Sequence, residues 1–491
     1  MFGFFKKNNA DTKKDSVLPP LRLHNTLSGN TEVFMPLNER EVKMYNCGPT
    51  VYGTQHIGNM RAAVFADTLR RTLLVWRYNV KQAINITDFG HLASDADEGE
   101  DKMTTGLKRE GMALTLENMR TLATKYMEEY FADIETLGVD RTKIIFPRAS
   151  DYIQEQIALI QTLEQKGYAY QTKSGVYFDT AKFAQYGKLG GINLGGQKDG
   201  ARVEENKEKK NPIDFVLWKG SKKIGWESPW GRGFPGWHIE CTAMIFSLLG
   251  KQIDIHTGGI EHIPVHHNNE LAQAEAASGK QFVRYWLHND HITIEGKKIS
   301  KSLGNTVFLH NVIDKGFSAR ALRYWFLTAH YRSSANFTWD ALAGADTTLT
   351  KLQRFFLSLP TAPEAADPSF MADFYAAIAD DLKTPVAVAR IWELVKNPSV
   401  SPGAKHASLL LADAVLGLGL SDKKNTAKLM VTAALPEAVQ ALVTQREDAR
   451  KAKDFARSDL LRQDIADQGY MVSDTDAGPV VSKKDNNIGS V

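Results

Sequence analysis

In the first third of the chain, the pattern of apolar and polar residues predicts short buried strands that are followed by amphipathic helices. Residues 42–47 are mostly apolar and predict a strand, which Gly48-Pro49 cannot continue. A helix is predicted over residues 58–76, and its apolar face consists of Ala62, Phe65, Ala66, Leu69 and Leu73. Residues 80–87 predict a second strand. This strand–helix–strand order predicts a parallel sheet whose ligand site lies at the carboxyl ends of the strands.

The same pattern stops and resumes further along the chain. Residues from 137 to about 210 are typical of an insertion with a helix (151–166) and a hairpin (168–179). The β/α pattern resumes from Pro212, through residues 215–218 and 253–256. After Phe317 the apolar spacing is helical nearly to the end, most clearly over residues 341–357, 371–378, 384–395, 406–416 and 435–468. The predicted fold class is α/β, with a Rossmann-like parallel-sheet domain, an inserted connective peptide and an α-helical C-terminal region.

Composition narrows the class of protein. A chain of 491 residues, 43% of them hydrophobic and 24% charged, predicts a globular protein of about three domains. The longest apolar stretch, residues 409–420, contains Asp413 and is shorter than the ~20 residues of a membrane span. Lys6 and Lys7 follow the apolar start, which is the wrong order for a signal peptide. Two cysteines fit a reducing compartment, so we expect a cytoplasmic protein with no membrane partner.

Two short motifs suggest phosphate chemistry. His56-Ile57-Gly58-Asn59 follows the first strand, where an imidazole can donate a hydrogen bond to a phosphate oxygen. Lys298-Ile299-Ser300-Lys301 combines two ammonium groups, which can offset the charge that develops on a departing pyrophosphate. Each motif alone is more often an ordinary helix start or a solvated basic loop. Their occurrence together, separated by a full α/β domain, favours a nucleotide-binding site.

A second set of residues has the chemistry of a metal site. His266 and Glu270 are four residues apart in a helix-forming stretch, so both side chains lie on one face. Cys47 ends the first strand and Cys241 follows Glu240. Two thiolates, an imidazole and a carboxylate make a plausible zinc set. The alternatives at this stage are buried apolar thiols and a surface helix pair.

The chain resembles the cysteinyl-tRNA synthetases, which are class I aminoacyl-tRNA synthetases. The resemblance covers residues 20–481 and is carried by the strings at 44–52, 56–59, 85–88, 226–231, 235–241, 254–256, 266–270, 298–305, 321–324, 330–333 and 452–456. Four departures are visible. Asn59 replaces the last histidine of the first motif, and Ile299 replaces the methionine of the second. Residues 89–101, which include the acidic loop 95–101, are longer and more acidic than the common form, and the loop 257–265 differs from the usual glycine-rich version. His262 and His267 add histidines beside His266, which we assign to the metal on its motif position.

The resemblance implies an activity and a set of site residues. The implied reaction is the ATP-dependent, Mg²⁺-assisted joining of L-cysteine to the terminal adenosine of tRNA(Cys), by a chain that we expect to be a monomer. The implied zinc ligands are Cys47, Cys241, His266 and Glu270, with Thr87, Trp237 and His256 lining the amino-acid pocket. The implied catalytic residues are His56, Asn59, Lys298 and Lys301, and the ATP-binding residues are these four with Gly58 and Ser300.

The resemblance also implies how the chain is divided into domains. They are a disordered leader (1–18), the two halves of the Rossmann catalytic domain (19–136 and 211–290), a connective insertion (137–210), a stem-contact region with the lysine signature loop (291–335), a helical bundle (336–421) and a C-terminal anticodon-binding region (422–491).

Two other functions stay open on the sequence alone. One is a ligase that activates cysteine but joins it to a small amine, as in mycothiol synthesis. The long helical region through Val481 disfavours it, since a small acceptor needs no anticodon reader. The other is a catalytically silent tRNA-binding paralogue. Asn59 supports that alternative, and the lysines and zinc ligands disfavour it.

Overall fold

The computed structural model describes residues 18–90, 101–192, 208–300, 304–361, 363–422, 436–475 and 478–483. The predicted leader up to residue 17, the acidic loop before Asp101 and the signature lysine Lys301 lie outside the described residues. Within the described ranges, no helix has both the length and the apolar character needed to cross a membrane.

The strands of the described residues belong to five sheets. In chain order they are β1 (Arg22–Asn25), β2 (Asn30–Val33), β3 (Glu41–Asn46), β4 (Asn79–Ile84), β5 (Ile144–Ile145), β6 (Ala169–Gln171), β7 (Gly175–Phe178), β8 (Phe215–Gly220), β9 (Gly233–Pro235), β10 (Ile253–Gly259), β11 (Val283–Asn289), β12 (Ile292–Ile294), β13 (Lys297–Lys298), β14 (Ala335–Phe337), β15 (Tyr470–Thr475) and β16 (Gly478–Lys483).

Helix α1 contacts β4 and β10 of the central sheet, and helices make up most of the described residues after 318. In chain order they are α1 (Ile57–Val75), α2 (Lys102–Arg109), α3 (Leu116–Thr136), α4 (Ile153–Gln165), α5 (Trp237–Leu248), α6 (Asn268–Ser278), α7 (Leu309–Asp314), α8 (Ala319–Leu327), α9 (Trp339–Ser358), α10 (Pro368–Ala379), α11 (Thr384–Lys396), α12 (Pro402–Leu416), α13 (Glu437–Lys451) and α14 (Phe455–Asp467).

The central sheet has five parallel strands in the order β11-β10-β3-β4-β5. The predicted strand–helix–strand unit is therefore confirmed as β3-α1-β4. The carboxyl-terminal parts of β3 and β4 and the whole of β10 are buried, as in a parallel sheet that is covered on both faces. Met44, Tyr45 and Ile255 are fully buried in it. The α/β fold class is confirmed, and the carboxyl ends of β3 and β10 lie side by side at one edge.

The connective region differs from the sequence expectation at both of its ends. Residues 215–218 were expected to return to the β/α pattern, but β8 joins an antiparallel sheet in the order β6-β7-β8-β9. Conversely, β5 lies inside the predicted insertion and pairs with β4 in the parallel sheet. An apolar run such as Phe215–Gly220 fits a buried strand of either kind, since its partners come from distant parts of the chain.

The C-terminal region is helical as expected up to residue 422. The prediction of one continuous helix over 435–468 is wrong, because α13 and α14 are separated by a turn in which Lys453 has a φ of 60°. Asp454 caps the second helix by accepting a hydrogen bond from the backbone N–H of Arg457 at 3.1 Å. The antiparallel hairpin β15-β16 that follows was not predicted. Its Val472 and Val481 pack on Val439 and Ile465 and form a small separate core.

Candidate functional site

A cavity of about 570 Å³ lies at the carboxyl edge of the central sheet, and we call it the central cavity. Its walls come from the ends of β3, β4, β10 and β11 and from the start of α1. The lining includes Cys47, Tyr52, His56, Gly58, Asn59, Lys102, Trp237, Gly258, Glu261, His262, Asp290, Lys298 and Ile299. The structure therefore brings both sequence motifs and one candidate metal ligand to a single cavity.

The first motif forms the N-terminus of α1 through reciprocal capping. The ring Nδ1 of His56 accepts a hydrogen bond from the backbone N–H of Gly58 at 3.1 Å. The Oδ1 atom of Asn59 accepts one from the backbone N–H of His56 at 3.2 Å. Since Nδ1 is an acceptor, the neutral imidazole carries its proton on Nε2 and can donate from that atom. Asn59 therefore retains a structural role at the position where the resembled family has histidine.

The second motif packs directly against the first. A Cβ added to Gly58 would lie 2.9 Å from two ring atoms of His56 and 3.6 Å from Cδ1 of Ile299. Glycine at this position thus allows the capping geometry and leaves space for the lysine loop. The side chain of Asn305 ties that loop together by donating to the carbonyl of Lys298 at 3.0 Å and accepting from the N–H of Ser300 at 2.9 Å.

The four predicted metal ligands converge. Cys47, Cys241, His266 and Glu270 each offer a ligand atom, and these atoms all lie within 4.8 Å of one another. Nε2 of His266 lies 3.8 Å from Sγ of Cys241 and 2.7 Å from Oε1 of Glu270. Tetrahedral zinc with bonds of roughly 2.0–2.3 Å needs its ligand atoms about 3.3–3.8 Å apart. The 3.8 Å separation agrees with this range, while the 2.7 Å contact between His266 and Glu270 is shorter and would have to lengthen around an ion. The donor set of two thiolates, an imidazole and a carboxylate suits zinc, and the sulfur ligands exclude a preference for Mg²⁺ or Ca²⁺.

In this buried cluster, burial and the neighbouring charges shift the pKa values of the candidate ligands in opposite directions. Burial lowers the pKa of His266, but Glu270 and Cys47 outweigh it and raise the pKa to about 10. Burial raises the pKa of Glu270, but His256 and His266 lower it to about 2. Burial also raises the pKa of Cys47, while a hydrogen bond from Cys241 and the nearby His267 hold it well below its usual range. The hydrogen bond to Cys47 and burial raise the pKa of Cys241 well above its usual range.

A second histidine lies beside the cluster. Nε2 of His267 is 3.2 Å from Sγ of Cys47, and its Nδ1 is 2.7 Å from Nε2 of His288. Cys47, His256, His267 and Glu270 form a second group whose ligand atoms lie within 4.8 Å of one another. The two groups share Cys47 and Glu270, and only the first contains both thiolates. Since zinc prefers sulfur ligands, the first group is the better zinc set.

The three residues predicted to line the amino-acid pocket have different positions. Trp237 begins α5, lines the central cavity and lies with its ring centroid 4.1 Å from that of His266. His256 is fully buried, and its Nε2 lies 2.9 Å from Oε2 of Glu270. Thr87 is buried and donates to Oε2 of Glu240 at 2.8 Å. Of the three, Trp237 faces the cavity, while His256 and Thr87 contact the buried carboxylates behind it.

Several residues that support the cluster escaped the sequence analysis. Nδ1 of His238 lies 2.9 Å from Nδ1 of His266, so it orients the ring of that metal ligand. His288 does the same for His267 and in turn contacts Oγ1 of Thr26 at 2.7 Å. Such hydrogen bonds to the outer nitrogen of a ligand histidine are common around metals. His238 is three residues before Cys241, which was a usable signal, whereas His288 belongs to a distant strand and gave none.

Comparison with protein families identifies both parts of the chain. Residues 33–347 match the family model of the class I (C) tRNA synthetase catalytic domain. Residues 432–478 match the model of the cysteinyl-tRNA ligase anticodon-binding domain. The first match contains the central cavity, and the second contains α13, α14 and β15.

Curated relatives match along almost the whole chain. Cysteine–tRNA ligase 1 of Burkholderia lata is 43% identical over 465 residues, covering 94% of this chain and 96% of that protein. The cysteine–tRNA ligase of Thermus thermophilus is 41% identical over 480 residues, covering 94% and 98%. That of Treponema denticola is 38% identical over 496 residues, covering 94% and 99%.

Solved structures agree with the fold. Mycobacterium tuberculosis methionyl-tRNA synthetase bound by methionyl-adenylate superposes with a TM-score of 0.53 at 14% identity, covering 81% of this chain and 95% of that one. The Agrobacterium radiobacter LeuRS in complex with tRNA and LeuAMS gives a TM-score of 0.58 at 12% identity, covering 80% and 86%. At these identities the likeness concerns the fold alone. The two family matches and the extent of the curated relatives show that the chain belongs to the cysteine–tRNA ligase family of class I aminoacyl-tRNA synthetases.

Proposed function

We propose that this chain activates L-cysteine with ATP and transfers it to the terminal adenosine of tRNA(Cys), and that a zinc ion selects the cysteine by its thiolate. One observation carries the proposal. The ligand atoms of Cys47, Cys241, His266 and Glu270 lie within 4.8 Å of one another, and Cys47 opens into the cavity that His56 and Lys298 also line. A thiolate-preferring site thus adjoins the groups suited to bind a triphosphate.

The proposed zinc would allow the enzyme to distinguish cysteine from serine. Serine differs from cysteine by oxygen in place of sulfur, and packing in an apolar pocket resolves so small a difference weakly. A zinc ion held by Cys47, Cys241, His266 and Glu270 would supply a centre that prefers a thiolate to an alcohol. His238 and His256 hold His266 and Glu270 in place for that metal. This selectivity makes a separate hydrolytic editing site unnecessary.

Activation is proposed to proceed in line. The carboxylate of cysteine attacks the α-phosphorus of ATP, and the bond to the bridging oxygen breaks to release pyrophosphate. Nε2–H of His56 donates to a phosphate oxygen, while Lys298 and Lys301 offset the charge that develops on the leaving group. Mg²⁺ accompanies the triphosphate. The backbone N–H of Gly58 holds the His56 ring, and the side chain of Asn59 holds the His56 backbone. Ser300 belongs to the loop tied by Asn305.

Transfer then joins the activated cysteine to tRNA. The 2′-hydroxyl of the terminal adenosine attacks the carbonyl carbon of the adenylate, and AMP leaves with the bonding electrons. No covalent enzyme intermediate is required, so positioning and electrostatics carry the catalysis. The anticodon-binding match at residues 432–478 supports a tRNA acceptor and disfavours the alternative of a small amine.

The proposal also covers compartment and assembly. Cys47 and Cys241 are free cysteines and must stay reduced to bind zinc, so we propose a cytoplasmic location. All of the proposed site residues come from a single chain, which is what a monomeric enzyme requires.

The test is ATP–pyrophosphate exchange with each of the twenty amino acids, followed by charging of tRNA with the amino acid that supports exchange. We expect exchange with cysteine and none above background with serine, and then esterification of tRNA(Cys). Exchange without charging would support the small-amine alternative. A protein that binds tRNA(Cys) but supports no exchange would be the silent paralogue.

A further inference from the structure

A lysine outside both signature motifs lines the same cavity. Lys102 is the first residue of α2, and its ammonium lies 5.9 Å from the ring centroid of Trp237. That ring lies 4.1 Å by centroid from the ring of His266. The ammonium of Lys102 and the proposed metal ligand His266 therefore both contact the Trp237 ring, and Lys102 lines the same cavity as Lys298.

The helix that carries Lys102 is fixed to the wall of the cavity. The carboxylate of Asp101 caps its start by accepting from the N–H of Met103 at 2.7 Å. At its other end, Nη2 of Arg109 donates to the carbonyl of Tyr52 at 2.7 Å. A Cβ on Gly106 would lie 2.8 Å from that same carbonyl oxygen, so the helix and the Tyr52 loop pack in direct backbone contact. The ammonium of Lys102 is thus presented by a helix anchored beside the first motif.

We infer that Lys102 binds the carboxylate of the substrate cysteine and positions it for attack on the α-phosphate. The inference rests on the proposed function and deepens it. A cysteine held by its sulfur at the metal ligands extends its carboxylate roughly 4–5 Å from that sulfur, as its bond lengths dictate. The Trp237 ring contacts both the metal ligand His266 and the ammonium of Lys102, so the lysine lies near the place where the substrate sulfur is held. A flexible lysine is suited to this role because its compact ammonium can follow the carboxylate as it becomes part of the adenylate.

The substrate chemistry provides a sharp test. Cysteamine keeps the thiol and the ammonium group of cysteine and lacks only the carboxylate, so it can bind at the metal but cannot be activated. The experiment compares wild type, Lys102→Met, Lys102→Arg and the control Lys108→Met, which removes a lysine exposed on the same helix. In each protein, ATP–pyrophosphate exchange gives the KM for cysteine, the KM for ATP and the inhibition constant of cysteamine.

We expect Lys102→Met to raise the KM for cysteine by roughly 10- to 100-fold, the loss of one charged hydrogen bond. The inhibition constant of cysteamine should stay within about 2-fold of wild type, and Lys102→Arg should recover part of the affinity for cysteine. Lys108→Met should resemble wild type.

Three results would overturn the assignment of Lys102. They are an unchanged KM for cysteine in Lys102→Met, an equal weakening of cysteine and cysteamine, and a rise in the KM for ATP in place of that for cysteine. Each of these is separable from failure of the proposed function, in which the wild-type protein itself shows no cysteine-dependent exchange.

Discussion

The guanidinium of Arg323 on α8 and the carboxylate of Asp67 on α1 form a fully buried ion pair, with Nη2 and Oδ2 2.6 Å apart. Nε of Arg323 also donates to the carbonyl of Leu416 at the end of α12, at 2.7 Å. One side chain therefore connects the helix that begins with the first motif to the helical region that follows the catalytic part.

We predict that Asp67→Ala destabilises the protein strongly, because the buried charge of Arg323 loses the carboxylate with which it pairs. The expected loss in the free energy of unfolding is about 3–5 kcal/mol, measured by urea denaturation. The matched control is Asp151→Ala, which breaks an ion pair with Arg120 whose side chains are 46% and 54% exposed. That control should cost about 0–1 kcal/mol. Equal losses in the two variants would contradict the role given to the buried pair.

The second prediction concerns the metal. Protein purified without chelators should contain one zinc per chain, and Cys241→Ser should lose most of it, since an alcohol is a poor zinc ligand. Metal analysis gives the zinc content, and cysteine-dependent ATP–pyrophosphate exchange should fall in parallel. Ser247→Ala, on the same helix as Cys241 and outside the cluster, is the control. Full zinc occupancy in Cys241→Ser would show that Cys241 is not a zinc ligand.

The third prediction concerns the lysine loop. Lys301→Ala should lower the rate of adenylate formation by about 10²-fold or more and leave the affinity for cysteine nearly unchanged, because the charge it offsets develops only in the transition state. Single-turnover kinetics separate the two quantities. Lys297→Ala removes an exposed charge from the strand before the loop and should have little effect. A loss of cysteine affinity alone in Lys301→Ala would be incompatible with the proposed role.

The fourth prediction is a pH dependence of stability. Burial, together with the charge of Glu129, raises the pKa of Asp133 to about 7. The unfolded chain releases this proton near pH 3.9, so the folded state binds more protons between about pH 4 and pH 7. The contribution of Asp133 to stability is therefore lost as the pH rises through that window. The asparagine of Asp133→Asn does not titrate. The free energy of unfolding of this variant should therefore rise relative to that of wild type as the pH increases from 5 to 8.

Urea denaturation at several pH values checks this prediction. Ala132→Ser changes the exposed residue next to Asp133 on α3 and alters no titratable group, so it serves as the control and should keep a constant difference from wild type. If Asp133→Asn also kept a constant difference from wild type over this range, the raised pKa would be refuted.

Local patterns were enough for the elements that depend on neighbouring residues. The run at 42–47, the turn at Gly48-Pro49 and the apolar face of the next helix predicted β3 and α1, since strand and helix periodicity are properties of a short stretch. The candidate site residues also came from short strings, because His56, Lys298 and the pair His266 and Glu270 occur in motifs with characteristic spacing. The resemblance to a known family then supplied Cys47 and Cys241 as their partners.

Tertiary structure decided what depends on residues far apart in the chain. Residues 215–220 were apolar enough for either sheet, and only their pairing with β7 and β9 settled their place. The hairpin β15-β16 is stable because Val472 and Val481 find a core on α13 and α14. The contacts of His267 with His288 and of Lys102 with Trp237 join segments that share no local pattern. Periodicity determines which face of an element is apolar, whereas the identity of its partner depends on how the whole chain packs.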